Sequence, residues 1–258
     1  KHSLLYQIIS AWHSFIVRCA SRITITHPSF LKIAPKKKVY FIHTGANPHT
    51  FRPDISVSSL RKRYRLHRGK TLLYTGSFSR WHACTTMIRA VAPLLKKDSQ
   101  LKLFMIGVGE HYKASVALAY KLKLQNQILF PGKISFDQIP SYIVAADICF
   151  ALFDRSYPPF QALDYYYSPI KIHEYKASGK PIIASNIGTL RTYVVDGKNG
   201  FLVREDHPQE ITTAVRKLLQ NTTLCRAIGK LNRKEVVDLY NWDTQNKKLL
   251  THLFLQER

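Results

Sequence analysis

Acidic residues are scarce in this chain. Its 258 residues include 16 Asp and Glu against 39 Lys and Arg, a formal net charge of +23, and no acid precedes Asp54. Such a field attracts anions: nucleotide phosphates, nucleic acid or lipid headgroups. A solvated basic surface without a specific partner accounts for it equally well, so charge alone selects no function. Cysteine is also sparse. Cys19, Cys84, Cys149 and Cys225 lie far apart and form no Cys-x-x-Cys pair. This argues against a zinc site and, with no signal-peptide pattern, for a reduced cytoplasmic setting. The 11 histidines are scattered without metal-ligand spacing, so neither a metal nor a cofactor is expected. No internal repeat or low-complexity segment is visible, and no apolar run is long enough to span a bilayer.

What is present is enough apolar material for a packed core: hydrophobic residues make up 45% of the chain, sufficient for one large domain or a domain plus a fragment. Near the N-terminus Leu5, Ile8, Ile9, Trp12, Phe15 and Ile16 recur at helical spacing, which predicts an amphipathic helix that is either core-facing or laid on a membrane. From residue 37 onward short apolar runs alternate with amphipathic stretches. The runs Val39–Ile42, Thr71–Tyr74, Leu101–Ile106, Ile128–Phe130, Ile148–Leu152, Pro181–Ala184 and Phe201–Val203 read as strands. Helices are expected near Cys84–Leu95, Tyr112–Leu122, Phe136–Ala145 and Pro169–Ser178, then through Ile211, Ala214, Val215, Leu218 and Leu219. Two closing helices follow, over Leu224–Leu239 and Trp242–Leu255. This alternation predicts an α/β fold, a Rossmann-like doubly wound parallel sheet with extra N-terminal helices.

The most informative stretch runs from Ser168 to Ser185. Ser168 is a suitable N-cap and Pro169 is preset for a first helical turn. Gly179 is placed to end the helix, with a buried strand after it. The free N–H groups at such a helix start form an anion site, to which Lys171 adds a cation. Glu174 falls six residues after the cap, roughly 9 Å along the axis, about the span from a diphosphate to the ribose of the same nucleotide. Taken alone, Glu174 is equally a surface carboxylate paired with Lys171 at i−3. A second segment, Tyr74 to His82, reads as strand, Gly turn and polar loop, as crevices at strand C-termini require. There Gly76 allows close backbone approach, and Arg80 and His82 can meet phosphate charge. Gly132-Lys-Ile134 could offer backbone to a base and Asn186-Ile-Gly188 could approach a sugar, although each alone is ordinary loop chemistry.

In combination these residues resemble the retaining glycosyltransferases of family 4, which have the GT-B fold. The matching segments are Gly76–His82, Ile106–Gly109, Phe130–Lys133, Ala145–Asp147, Ser168–Tyr175, Gly179–Gly188 and Asp196–Val203. The resemblance implies that residues 39–240 are the donor-binding domain, 1–38 a remnant of the N-terminal acceptor domain and 241–258 a closing helix. It also implies that the chain alone binds donor weakly and catalyses little. Glu174 matches the second Glu of the family's Glu-x7-Glu motif and would bind the donor ribose. Ser168, Pro169, Ile170 and Lys171 would sit at the diphosphate, Gly132, Lys133 and Ile134 near the base, and Asn186 and Gly188 toward the sugar. Gly76, Ser77 and Tyr166 complete the donor set.

The departures are specific. The motif's first Glu is replaced by Tyr166, and Ser77 and His82 stand where many relatives carry Arg and Lys for the leaving diphosphate. Arg80, or His82 when protonated, is the expected substitute, so Glu174, His82 and Arg80 are the candidate catalytic residues. No Asp-x-Asp occurs, which agrees with the metal-independent members of this resemblance. The implied function is transfer of a sugar from a nucleotide-diphosphate-sugar to an acceptor with retention. That acceptor would be a glycan or lipid-linked precursor in cell-envelope or polysaccharide synthesis, at the inner face of an anionic membrane. A catalytically silent nucleotide-sugar-binding domain and a basic membrane- or nucleic-acid-binding module are the alternatives. No specific nucleic-acid partner is expected, since the motifs of nucleic-acid readers are lacking.

Overall fold

The computed structural model describes residues 4–32, 38–66, 69–163, 165 and 167–254. Its centre is a six-stranded, all-parallel sheet of order β5-β4-β3-β6-β7-β8. The strands are β3 (Thr71–Thr75), β4 (Lys102–Ile106), β5 (Ile128–Gly132), β6 (Ile148–Ala151), β7 (Ile182–Ser185) and β8 (Phe201–Val203). The doubly wound α/β class expected from the alternation is the class observed. Every residue of β3, β6 and β7 is buried, as a parallel sheet covered by helices on both faces requires. Side chains alternate between two cores. Leu72, Tyr74, Ile148, Phe150 and Leu152 face one, whereas Leu73, Cys149, Ala151 and Phe153 face the other.

The first core is closed by α3 (Cys84–Lys97), which buries Met87, Ile88, Val91 and Leu95, and by α9 (Pro208–Gln220), which buries Ile211, Ala214, Val215 and Leu218. The α9 stripe is the one the sequence spacing predicts, and α3 forms where a helix is expected. The second core lies under α5 (Ile139–Ala145) and α7 (Ile170–Ala177). Helix α7 ends in a Schellman motif: Gly179 N–H donates to the Lys176 carbonyl and Lys180 N–H to that of Tyr175. Gly179 has φ +69°, and a Cβ at Gly229 of α10 (Thr222–Asp238) would fall 2.2 Å from its carbonyl oxygen. Only glycine at position 229 lets α10 pack this closely on the cap.

The N-terminal part departs from the sequence reading. Ile23–Ile25, within the stretch expected to carry extra N-terminal helices, is a strand (β1), and Val39–Phe41 (β2) pairs with it in a separate two-stranded parallel sheet. Helix α11 (Trp242–Phe254) holds this pair: Tyr40 stacks on His252 at 4.1 Å, and His43 N–H donates to Gln245 Oε1. Helix α1 (Leu4–Cys19) forms as its periodicity predicts, yet none of its residues is buried, and Leu5, Ile8, Ile9, Trp12, Phe15 and Ile16 all face outward. No helix among the described residues is long and apolar enough to cross a membrane.

Candidate functional site

The strand order reverses between β3 and β6, so a crevice opens at the carboxyl ends of these two strands. Three successive strand ends are laced together there by backbone bonds. Gly76 N–H donates to the Ile106 carbonyl and Gly107 N–H to that of Gly132. Gly107 has φ +131°, and a Cβ on it would lie 1.9 Å from the Gly76 oxygen, so the loops after β3 and β4 meet only because Gly107 has no side chain. An antiparallel bridge between His82 and Phe153 joins the loops that follow β3 and β6. Tyr175 of α7 fixes the helix to the end of β3, its hydroxyl 3.0 Å from Thr75 N and 2.8 Å from Thr75 Oγ1.

Helix α7 therefore starts beside the Gly76 turn. Its cap differs from expectation: Pro169 occupies the N-cap position without a side-chain cap bond. The Ser168 hydroxyl is engaged instead by Thr44 Oγ1 at 2.7 Å and the Tyr193 hydroxyl at 3.0 Å. The N–H groups of Ile170 and Lys171 consequently donate to nothing among the described residues, the condition that makes a helix start attract anions.

Lys171 turns from this first turn toward β3. Its ammonium is buried, lies 4.5 Å from the centre of the Tyr74 ring and 5.4 Å from that of Phe153, and has no hydrogen-bond partner among the described residues. A Cβ on Gly76 would be 2.5 Å from Nζ, which places the ammonium directly over the turn. Burial lowers its pKa to about 8, against the smaller opposing influence of Cys84 and Glu174. One turn further, Glu174 is only partly exposed and no hydrogen bond engages its carboxylate among the described residues. Burial raises its pKa to about 7, with Lys171 pulling the other way. Lysine and carboxylate thus line one helix face with their hydrogen-bonding capacity unspent.

The remaining candidates separate into groups. Gly76, Ser77, Pro169, Ile170, Lys171 and Glu174 are brought together, with Ser168 just behind Pro169. Ser77 Oγ accepts from Ser79 Oγ at 2.9 Å and lies 3.4 Å from His82 Nδ1. His82 is buried, and desolvation with the nearby Lys171 lowers its pKa to about 2, so it is neutral at physiological pH and offers no protonated charge. Arg80 turns to the surface, where its Nε pairs with Glu110 Oε1 at 2.8 Å. Gly132 closes β5 with φ +77° and open space beside it, leading to exposed Lys133 and half-buried Ile134. Asn186 accepts from Arg191 Nε at 2.7 Å, and Gly188 packs on Tyr165. Tyr166 lies outside the described residues.

The sequence reading overlooked the rings of Tyr74 and Phe153 that flank Lys171, and Thr44 and Tyr193 that hold Ser168. Tyr74 carried a usable signal, since it is the last core-facing aromatic before the Gly turn. Thr44 and Tyr193 are remote in sequence, and no local pattern marks them. Among the described residues no group of three or more His, Cys, Asp or Glu could hold a metal.

A parallel sheet with glycine-laced loops and an uncapped helix start at its switch point defines a doubly wound α/β protein with its crevice at the strand carboxyl ends. Solved structures with this architecture include sucrose-phosphate synthase from Thermosynechococcus elongatus, with a TM-score of 0.77 at 23% identity over 97% of this chain and 63% of that one. Another is Anabaena HepE in complex with UDP and glucose, with a TM-score of 0.79 at 20% identity over 95% of this chain and 67% of that one. The chain belongs to the family of group 1 glycosyl transferases, whose model matches residues 58–235. It is similar to a GDP-mannose-dependent alpha-(1-6)-phosphatidylinositol monomannoside mannosyltransferase of Mycobacterium tuberculosis, 26% identical over 85% of this chain and 56% of that protein. It is also 27% identical to a D-inositol 3-phosphate glycosyltransferase of Streptomyces avermitilis, over 82% of this chain and 45% of that protein. The chain thus spans about half the length of these relatives.

Proposed function

We propose that this chain is the donor-binding part of a glycosyltransferase that moves a hexose-type sugar from a nucleoside diphosphate to an acceptor, with retention at the anomeric carbon. The observation that carries this reading is the run of α7: unpaired N–H groups at its start, over the Gly76 turn, and an unengaged Glu174 one turn beyond. Glu174 lies five residues beyond the Pro169 cap, roughly 7.5 Å along the axis, a spacing that suits a diphosphate at the helix start and a ribose at Glu174. The open backbone at Gly132–Ile134 suits the base, and Asn186–Gly188 the sugar. As the bond from the anomeric carbon to the diphosphate breaks, negative charge grows on the departing phosphate oxygen. Fixed helix-terminal N–H groups stabilise that charge without reorganising.

Family membership and the nucleotide-dependent relatives support this reading, and retention rests on the motif resemblance. A phosphatidylinositol-linked substrate in one relative's name and the net charge of +23 both favour a lipid-linked or glycan acceptor at an anionic membrane face. In this reading residues 39–240 form the donor domain and 1–38 belong to the acceptor side.

The test is calorimetric titration with UDP, GDP and ADP. One nucleotide should bind saturably, and Glu174→Ala should weaken it by about tenfold or more without loss of thermal stability, as expected for hydrogen bonds to a charged acceptor. Saturable binding of none of the three, or wild-type affinity in Glu174→Ala, would overturn the assignment.

A further inference from the structure

The mouth of the crevice carries a second feature, and it is aromatic. On the segment after β6, Phe153, Phe160 and Tyr165 are buried, with the Tyr165 ring centre 4.9 Å from each of the other two. Three more rings continue the cluster toward solvent. Trp81, on the loop after β3, stands 5.4 Å from Tyr157 and 6.2 Å from Tyr167, nearly parallel to the latter at 16°. Tyr157 and Tyr167 each lean on Phe160, at 5.1 and 5.9 Å. Packing accounts for the inner rings. It does not consume the outer three, since Trp81 and Tyr157 are half-buried and Tyr167 is 39% exposed. Aromatic surface held at a cleft and left in water forgoes favourable burial unless a ligand covers it.

Polar groups around these rings are also unspent. The Trp81 indole N–H and the Tyr157 hydroxyl make no hydrogen bond among the described residues. Asp154, whose N–H donates to the Trp81 carbonyl, receives Ser156 on Oδ1, while its Oδ2 accepts from nothing among the described residues. Flat apolar faces accompanied by donors and a carboxylate suit a pyranose. Its C–H face stacks on a ring while its hydroxyls donate and accept around the edge. An acyl chain would leave those polar groups dry and unpaired. An anion would meet the Asp154 carboxylate.

Resting on the donor reading above, we propose that Trp81, Tyr157 and Tyr167, with Asp154 beside them, form a stacking subsite for a pyranose ring of the acceptor. Its place in the crevice selects the acceptor over the donor. Trp81 adjoins His82, which bridges to Phe153 between the two loops, and Tyr167 directly precedes Ser168 at the start of α7. In the donor reading the diphosphate occupies that helix start, the base lies toward β5 and the donor sugar toward β7. The rings stand on the loops after β3 and β6, between those two ends, with faces open to an incoming saccharide. Stacking orients a sugar ring without gripping it by charge, so the subsite binds weakly and serves chiefly to aim the acceptor.

The experiment follows the Trp81 indole N–H resonance by proton–nitrogen NMR, with and without the tightest nucleoside diphosphate. The probes are methyl α-mannopyranoside, methyl α-glucopyranoside and cyclohexanol, each added to about 100 mM. The chain has three tryptophans, and Trp81→Phe identifies the resonance. At least one pyranoside should shift it saturably, with a Kd of about 1 to 30 mM, and cyclohexanol, with the ring size but a single hydroxyl, should not. Tyr167→Ala should weaken that pyranoside about tenfold. Trp81→Ala should leave the nucleoside diphosphate and its hexose conjugates within about twofold of wild-type affinity. A tenfold loss for a hexose conjugate alone would assign the rings to the donor's own sugar and overturn the proposal. An equal response to cyclohexanol, or none to either pyranoside, would overturn it as well. Should Trp81→Ala fail to fold, Tyr167→Ala decides the same comparison of diphosphate with hexose conjugate. A Trp81 response to pyranoside in a chain that binds no nucleoside diphosphate would sink the donor reading and leave the saccharide subsite standing.

Discussion

The loop after β3 and the start of α7 face each other across the same crevice, and they hold charge in different ways. On the loop, Arg80 points outward into an ion pair, and His82 is buried and neutral. What the loop gives the crevice is backbone, brought close by Gly76 and Gly107. On the helix, Lys171 and Glu174 remain unsatisfied and both have pKa values displaced toward neutrality by burial. Close backbone approach needs residues without side chains, and responsive charge needs side chains removed from water. The two requirements are met by separate elements, which explains how the loop can lose its cations without emptying the site of positive charge.

The comparison breaks most severely at the glycines. Gly107→Ala should cost about 3 kcal/mol or more, because φ is positive and the new methyl would meet the Gly76 carbonyl. Urea unfolding measures the loss. If the loop's contribution is backbone placement, nucleotide affinity should fall with it even though no charged group has been touched. Retained affinity in a destabilised protein would mean that the helix alone forms the site.

Most of this arrangement is written in local sequence, and the rest is absent for identifiable reasons. The strands of the large sheet are legible because parallel strands buried on both faces become continuous apolar runs, as in Thr71–Thr75 and Ile182–Ser185. Gly179 is legible because a Schellman cap needs φ above zero. Ile23–Ile25 is not, since a three-residue strand shows too little alternation to be told from a helix end. The short helices α2 (Ser58–Arg63), α6 (Pro158–Leu163) and α8 (Leu190–Tyr193) escape for the same reason. Ser168 misleads because its capping hydroxyl finds Thr44 and Tyr193 instead, partners supplied by tertiary structure. Lys171 is visible as a cation near a helix start, but its solitude is not.

Acid titration sharpens the same comparison, since each side carries a buried neutral histidine: His82 on the loop and His173 on α7. His173 packs between Tyr193 and Tyr240 with neither ring nitrogen hydrogen-bonded among the described residues, and burial lowers its pKa to about 3. Below pH 6.5 the unfolded chain binds protons that the folded chain refuses, so stability falls as pH drops through that value. By pH 5 each histidine should cost about 2 kcal/mol relative to pH 8. Glu174 acts in the opposite sense. Its raised pKa means the folded state binds the extra proton between about 7 and 4.5, and stability is gained as pH falls through that window. His173→Phe should therefore remove about 2 kcal/mol of acid loss at pH 5 and leave His82 and Glu174 nearly in balance. An unchanged pH profile in urea unfolding would show that His173 already titrates normally.

The smallest expected effect is at Arg80, and its smallness is what distinguishes the two sides. Its guanidinium is largely exposed and its partner Glu110 is exposed as well, so their attraction is screened by solvent and contributes little to stability. The side chain points to the surface, whereas the ammonium of Lys171 rests over Gly76. Arg80→Ala should leave thermal unfolding unchanged and nucleoside diphosphate affinity within a factor of about two, the expected scale for a surface charge in screening salt. For Arg80 to serve the diphosphate, it would have to release Glu110 and swing inward when the ligand arrives. A tenfold loss of affinity in Arg80→Ala that Glu110→Ala does not reproduce would reveal that movement. It would return part of the charge to the loop, and the division between backbone and charge across the crevice would no longer hold.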